Sequence, residues 1–394
     1  MLLRHWTDEI ARIALAVDYE GNGYRRLVAM CVENEGLLSA MLAVAASHRS
    51  KWMRSTDTES SKYARRAIRH LQSQLKTPAA AKGEGVLATM LCLTSYEVFN
   101  GSRKWMMHYR AVAGWIRSQK DTSALDPFFK TWIAMIETQM ALNTGASLLP
   151  EIESWLDVGQ SHAIDPFFAQ GCSVLLPRLM LKASRLSRTT TTTPATAGPT
   201  ISPSASLHHR ASLLQDEIAS TAASPTSPLR LSVTIPTHHT GATNNNSNNN
   251  NNTAAAIAAE IFRHALHIYV FRASHPPSSP LDARARRSVD EALSLLALVH
   301  DAAGPLSNMG WALVVVGVEV AADSGARAFL RSKWAALHLL GIENSLASEG
   351  IVLEWWRRWD EGGKRMVGEG EGAGEKGGWL ELMRLGGEEL VPLV

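Results

Sequence analysis

Between Gly36 and Trp115 three apolar patterns of helical period follow one another, with no catalytic motif among them. In the first, Leu37, Met41, Val44 and His48 recur on one face, while Leu38, Leu42, Ala45 and Ala46 cover most of the remainder. A helix apolar on nearly every side belongs in the middle of a helical protein. The second is one-sided: Ala64, Ala67, Ile68, Leu71 and Leu75 face inward, and Lys62, Arg65, Arg66 and Arg69 face water. The third divides at Asn100-Gly101-Ser102, a turn between two buried helices. Together they predict an all-α fold, a multi-helix domain of orthogonal and antiparallel helices with no sheet.

Composition narrows the class further. Of 394 residues, 45% are hydrophobic and 19% charged, which is ample material for a core. Lysine plus arginine total 39 against 37 aspartate plus glutamate, so the chain lacks the global positive charge of a phosphate-binding surface. Cys31, Cys92 and Cys172 are far apart and odd in number, which argues against a disulfide framework and for a reducing compartment. The first residues hold no apolar stretch of signal-peptide length. The longest apolar run, Trp311 to Val318, is far short of the roughly 20 residues a membrane span needs. The expectation is a soluble, intracellular chain with no membrane contact.

The composition changes abruptly between Ser187 and Thr253. A threonine run at Thr189 to Thr193, a Pro/Ser/Thr-rich stretch to Ser206 and an asparagine tract from Asn244 to Asn252 offer little apolar surface to offset the entropy of ordering. Residues 187–253 therefore read as a disordered insertion, with one island, Leu207 to Ser220, able to dock as a short helix. Helical spacing resumes at Ile257, Ile261, Ala265 and Ile268, and again at Val289, Leu293, Leu296 and Val299. The whole of 1–394 reads as one domain carrying this insertion.

Chemistry-bearing residues are sparse. Glu260, His264 and His267 share a helical face, but the spacing is not that of a zinc motif, and packed neutral histidines fit the apolar neighbours better. His208-His209 and His238-His239 lie in the low-complexity region and read as solvated. The glycines at 368, 370, 372 and 374 alternate with Glu369 and Glu371, which would repel phosphate. No nucleophile elbow, P-loop or calcium loop is present, so no catalytic, cofactor-binding or metal residue is assigned and the chain does not read as an enzyme. His48 and His108 read as structural histidines at buried stripes. Glu319, a carboxylate in an apolar run, must be paired or protonated, and Arg327, after the break at Asp323-Ser324-Gly325, is the partner expected from the sequence.

Several segments carry a family resemblance. Leu38 to His48, Tyr63 to Leu75, and Leu87 to Glu97 with Trp105 and His108 resemble successive helices of the fungal-specific transcription-factor domain. Asp18, Asn22 and Tyr24-Arg25 resemble its opening, and Ile268 to Arg272 its aromatic helix end. Trp311 to Val316, Gly317-Val318-Glu319 and Arg327 resemble its W…G-x-E…R helix, and Asn344, Trp355-Trp356 and Trp359 to Gly362 its closing segment. The resemblance implies that Trp311 to Val320 is helical although its valines favour strand by local propensity. It marks His48, Trp105, His108, Trp311, Glu319 and Arg327 as a structural signature.

The resemblance also implies function: the regulatory domain of a zinc-cluster transcription factor, acting in the nucleus through effector sensing or protein interaction. Its partners would be the transcription machinery, a dimer partner or a small-molecule effector. Zinc would belong only to an N-terminal binuclear cluster of six thiolates, which three dispersed cysteines cannot build, so no direct DNA binding by this chain is expected. A standalone helical interaction module with no DNA role is the alternative.

Overall fold

The computed structural model describes residues 1–15, 18, 21–156, 175–189, 203–221, 245–276, 279–300, 303–363, 378–380 and 383. Among them the fold is helical, with no strand. The chain opens with α1 (Leu2–His5), a π-type turn at Trp6–Ile10 and α2 (Ala11–Ile13). Asn22 then starts α3 (Gly23–Val32): its side chain accepts from the Tyr24 amide and donates to the Ala11 carbonyl, and Arg25 grips Asp18 with both terminal nitrogens. The opening motif is thus an N-cap tied to an ion pair.

Around it stand α4 (Glu35–Trp52), α5 (Ser60–Leu75), the short α6 (Pro78–Ala81), α7 (Glu84–Phe99) and α8 (Trp105–Ser118). Small residues along α4, with Leu37, Ala40, Met41 and Val44 fully buried, let α5 and α7 close on it from different sides. The expected turn separates α7 from α8, where Gly101 takes φ +60°, a left-handed conformation suited to glycine. Helix α9 (Pro127–Thr144) starts at the Asp126 cap and stops at Gly145, φ +71°. It is buried from Phe128 to Asn143 because it lies between two hydrophobic cores. Trp132, Ile133 and Met140 belong to the first, Leu142 to the second.

The second core gathers α10 (Leu175–Thr189), α11 (Pro203–Ser220), α12 (Asn245–Ser274), α13 (Ala283–Leu298), α14 (Gly310–Glu319), α15 (Ser324–His338) and α16 (Asn344–Arg358). At its centre is α12, whose Ile261, Phe262, Ala265, Leu266 and Tyr269 are buried, and the Tyr269 hydroxyl donates to the Leu142 carbonyl of α9. The valines of α14 are helical because each is buried in this core, and packing outweighs local propensity.

Helix enters the stretch read as a disordered insertion at three places: α10 runs to Thr189, α11 covers the island from Pro203, and α12 starts inside the asparagine tract at Asn245. Extending an existing helix into polar residues needs no new nucleus, which accounts for the flanks. Residues 190–202 and 222–244, most of that stretch, lie outside the described residues, as do His238-His239, Cys172 and the glycine run.

Candidate functional site

The late motifs of the sequence converge on the C-terminal end of α14. Arg272, at the end of α12, donates from Nε and Nη2 to the two oxygens of Glu319, each at 2.7 Å. The side chains are 8% and 5% exposed, so this is a buried, bidentate pair. A further Arg272 nitrogen donates to the Ser279 carbonyl at 2.7 Å, which ties the loop after α12 to the same guanidinium.

Two residues earlier, a Cβ on Gly317 would stand 2.9 Å from Val352 Cγ1, so glycine is what lets α16 lie against α14. The close approach has a polar consequence. Trp356 donates its indole N–H to the Gly317 carbonyl at 2.8 Å, and Trp355 donates to Val318 at 3.0 Å. Two carbonyls at a helix end, which lack intrahelical partners, are satisfied by the paired tryptophans of the closing segment.

Arg327 does not reach Glu319. Its guanidinium donates to the Ala321 carbonyl and to both oxygens of Asp360, and it lies over the Trp356 ring at 5.2 Å. The expected pairing is therefore corrected: Glu319 is held by Arg272, and Arg327 fastens the π-type turn Trp359–Gly363 to α15. The reason is direction. The break between Glu319 and Ser324 sends Arg327 toward α16, whereas α12 runs beside α14 and delivers its terminal arginine to the carboxylate.

A second polar cluster joins the two cores. His48 Nε2 lies 2.7 Å from the Leu340 carbonyl, which can only accept, so Nε2 carries the proton. His48 Nδ1 then accepts from His5 Nε2 at 2.8 Å. Burial, followed by the nearby His5, pushes His48 down to about 3, so the imidazole is neutral at physiological pH. Beside it, Lys51 donates to the Phe99 carbonyl and the Asn100 amide oxygen and pairs with Glu343 at 3.1 Å, while the Glu343 amide donates to the Phe99 carbonyl. Gly341, φ +73°, brings the turn after α15 so close that a Cβ would meet the Trp52 nitrogen at 3.2 Å.

Three large apolar side chains crown this junction: Trp52 (45% exposed), Met53 (65%) and Leu339 (64%). Next to them Leu2, Ala46, Arg49, Ser50, Met53 and the loop Ser55–Glu59 line a cleft of about 290 Å³.

The other marked residues have packing roles. Trp105 is fully buried, its ring 6.2 Å from that of Tyr109. His108 is buried with Nε2 3.9 Å from the Glu97 carboxylate. Trp311 stacks on Phe262 at 6.1 Å. Glu260 pairs with Arg263, and His264 and His267 are both pushed down to about 4, chiefly by burial. Among the described residues no group of three His, Cys, Asp or Glu side chains is placed to hold a metal ion. Nor, among the described residues, is any helix long and apolar enough to cross a membrane.

Sequence reasoning missed Glu137, fully buried in α9. Its carboxylate accepts from the Tyr109 hydroxyl, the Ser147 hydroxyl and the Leu149 amide, each at 2.7 Å. Its signal was the same as that of Glu319, a lone carboxylate in an otherwise apolar helical run.

These features recur across the chain in the order of one family. The family model for the fungal specific transcription factor domain matches residues 1–391. Neither a curated protein nor a solved structure gives a match. The chain belongs to the fungal-specific transcription factor domain family, and its role is in the regulation of transcription.

Proposed function

We propose that this chain is a nuclear regulatory domain that works by binding proteins at the junction of its two cores, rather than by reading DNA or by catalysis. One observation carries this reading: the exposed apolar side chains of Trp52 and Met53 end α4, a helix of the first core, and that of Leu339 ends α15, a helix of the second. The group is complete only while His48 holds Leu340 and Lys51 holds Glu343. A partner that docks there reads the relative packing of the cores, which is the state an effector in the neighbouring cleft would alter. Exposed aromatic and methionine side chains suit such contacts because the aromatic ring buries a large area and the unbranched thioether adapts to the partner's shape. Sequence-specific DNA reading then falls to a zinc cluster, which the three cysteines here cannot form.

Tethering the chain to a heterologous DNA-binding domain tests this. The tethered chain is expected to change transcription of a reporter, and Trp52→Ser, Met53→Ser and Leu339→Ser together are expected to remove the change. Val32→Ser, at another exposed apolar side chain, serves as the control. A triple variant as active as the parent, with helical content intact, contradicts the assignment.

A further inference from the structure

Between Ser60 and Gly83 the sequence holds six lysines and arginines and no carboxylate, in a chain whose charges otherwise nearly balance. Helix α5 sorts four of them into one row. Lys62, Arg65, Arg66 and Arg69 are spaced i, i+3, i+4 and i+7 and all are exposed, while Ala64, Ala67 and Leu71 on the opposite side are buried. Lys76 continues the row past the end of the helix.

Elsewhere exposed arginines are commonly neutralised: Arg26 by Asp126, Arg185 by Glu153, Arg284 by Asp216, Arg357 and Arg358 by Glu354. On α5 only Arg66 is, through Glu35. Among the described residues no carboxylate stands within ion-pair distance of Lys62, Arg65 or Arg69. Half-buried Tyr63 and Ile68 flank the row with apolar surface.

From this we infer that the exposed face of α5 docks a short acidic segment of a protein partner. The length of the row decides between acidic peptide and nucleic acid. Lys62 to Arg69 spans about 10 Å at 1.5 Å per residue, enough for three or four residues of extended peptide. Asp57 and Glu59 precede the helix and Glu84 follows the basic stretch. A duplex, with one charge per ~1.7 Å of axis, would run its phosphates beyond the row and over these carboxylates. The α5 row shares no residue with Trp52, Met53 and Leu339, so each set can be substituted without replacing a member of the other.

The test is fluorescence anisotropy on the full chain with a labelled peptide of alternating glutamate and serine. The same peptide with glutamine for glutamate, and a labelled duplex of equal charge, are measured beside it. The glutamate peptide is expected to bind and the glutamine peptide not. Lys62→Gln, Arg65→Gln and Arg69→Gln together are expected to weaken binding about tenfold, the sum of three exposed charge contacts. Arg286→Gln with Arg287→Gln should change nothing. The residues replaced are exposed, and circular dichroism confirms the fold of each variant. No binding of the glutamate peptide, equal binding by the α5 variant, or tighter binding of the duplex that the same variant abolishes each overturns the inference.

Discussion

The two cores bury a helical carboxylate by opposite means. In the first, Glu137 of α9 sits among neutral donors only: a phenol, a serine hydroxyl and a backbone amide. In the second, Glu319 of α14 faces the guanidinium of Arg272. Both arrangements satisfy the oxygens, but they differ in what is left behind when the carboxylate goes. Among the described residues no cation pairs with Glu137, so none is there to strand. Beside Glu319 there is one, fixed by Ser279 and the Phe271 ring in a site that water barely reaches. A buried ion pair is weak evidence of net stability, yet breaking one side of it is severe. The second core is therefore the more brittle of the two, and it is the core in which the family's later motifs meet.

The largest expected effect follows from that brittleness. Glu319→Ala and Arg272→Ala should each destabilise the protein by about 3–5 kcal/mol, because each strands a buried charge. The double variant should lose well under the sum, since the same group is broken either way. Urea unfolding of the four proteins measures this. Additive losses would show that the two residues do not act as a unit.

The junction between the cores should respond to pH. The folded-state pKa of His48 is depressed to about 3 against an ordinary value of 6.5, so the native state binds fewer protons than the unfolded one below pH 6.5. Its contribution is fully present above that value and is lost as pH falls from 6.5 toward 3. Between pH 6.5 and 5 the loss is about 2 kcal/mol from this one group. His5, His264 and His267 are depressed as well and act in the same direction. Replacing His48 by Gln should make the slope of stability against pH shallower by about one proton over that range. An unchanged slope would mean that His48 is not buried as a neutral group.

The smallest effect is expected at Arg327. Its partner Asp360 is 61% exposed, so the ion pair adds little, and Arg327→Ala should lose about 1 kcal/mol through the Ala321 carbonyl and the Trp356 ring. A loss as large as that of Arg272→Ala would erase the distinction drawn between them.

Helix positions were readable because burial writes a period into sequence: the all-round apolar α4 and the one-sided α5 both form where their patterns lie. The need for a partner at Glu319 was equally readable, because a carboxylate amid valines has few alternatives. The identity of that partner was not. Arg272 is 47 residues away, and nothing local to either residue says that α12 runs beside α14. Proximity in sequence pointed to Arg327 instead. The junction was hidden for the same reason: Lys51, Phe99, Asn100 and Glu343 come from three distant segments and each looks ordinary where it stands. His48 was marked, but its link to Leu340 spans 292 positions.

One pair of variants tests the contrast between the cores directly. Glutamine keeps the shape of glutamate, removes its charge and turns one acceptor oxygen into a donor nitrogen. At Glu137 the amide oxygen can still accept from Ser147 and Leu149, and the amide nitrogen can donate to the Tyr109 oxygen, so Glu137→Gln should lose about 1 kcal/mol. At Glu319 the same change leaves Arg272 buried and uncompensated, so Glu319→Gln should lose about 3 kcal/mol or more. Urea unfolding of the two variants beside the parent protein is expected to give that order. Equal losses, or a larger one at Glu137, would contradict the claim that the two cores hold their buried carboxylates by different physics.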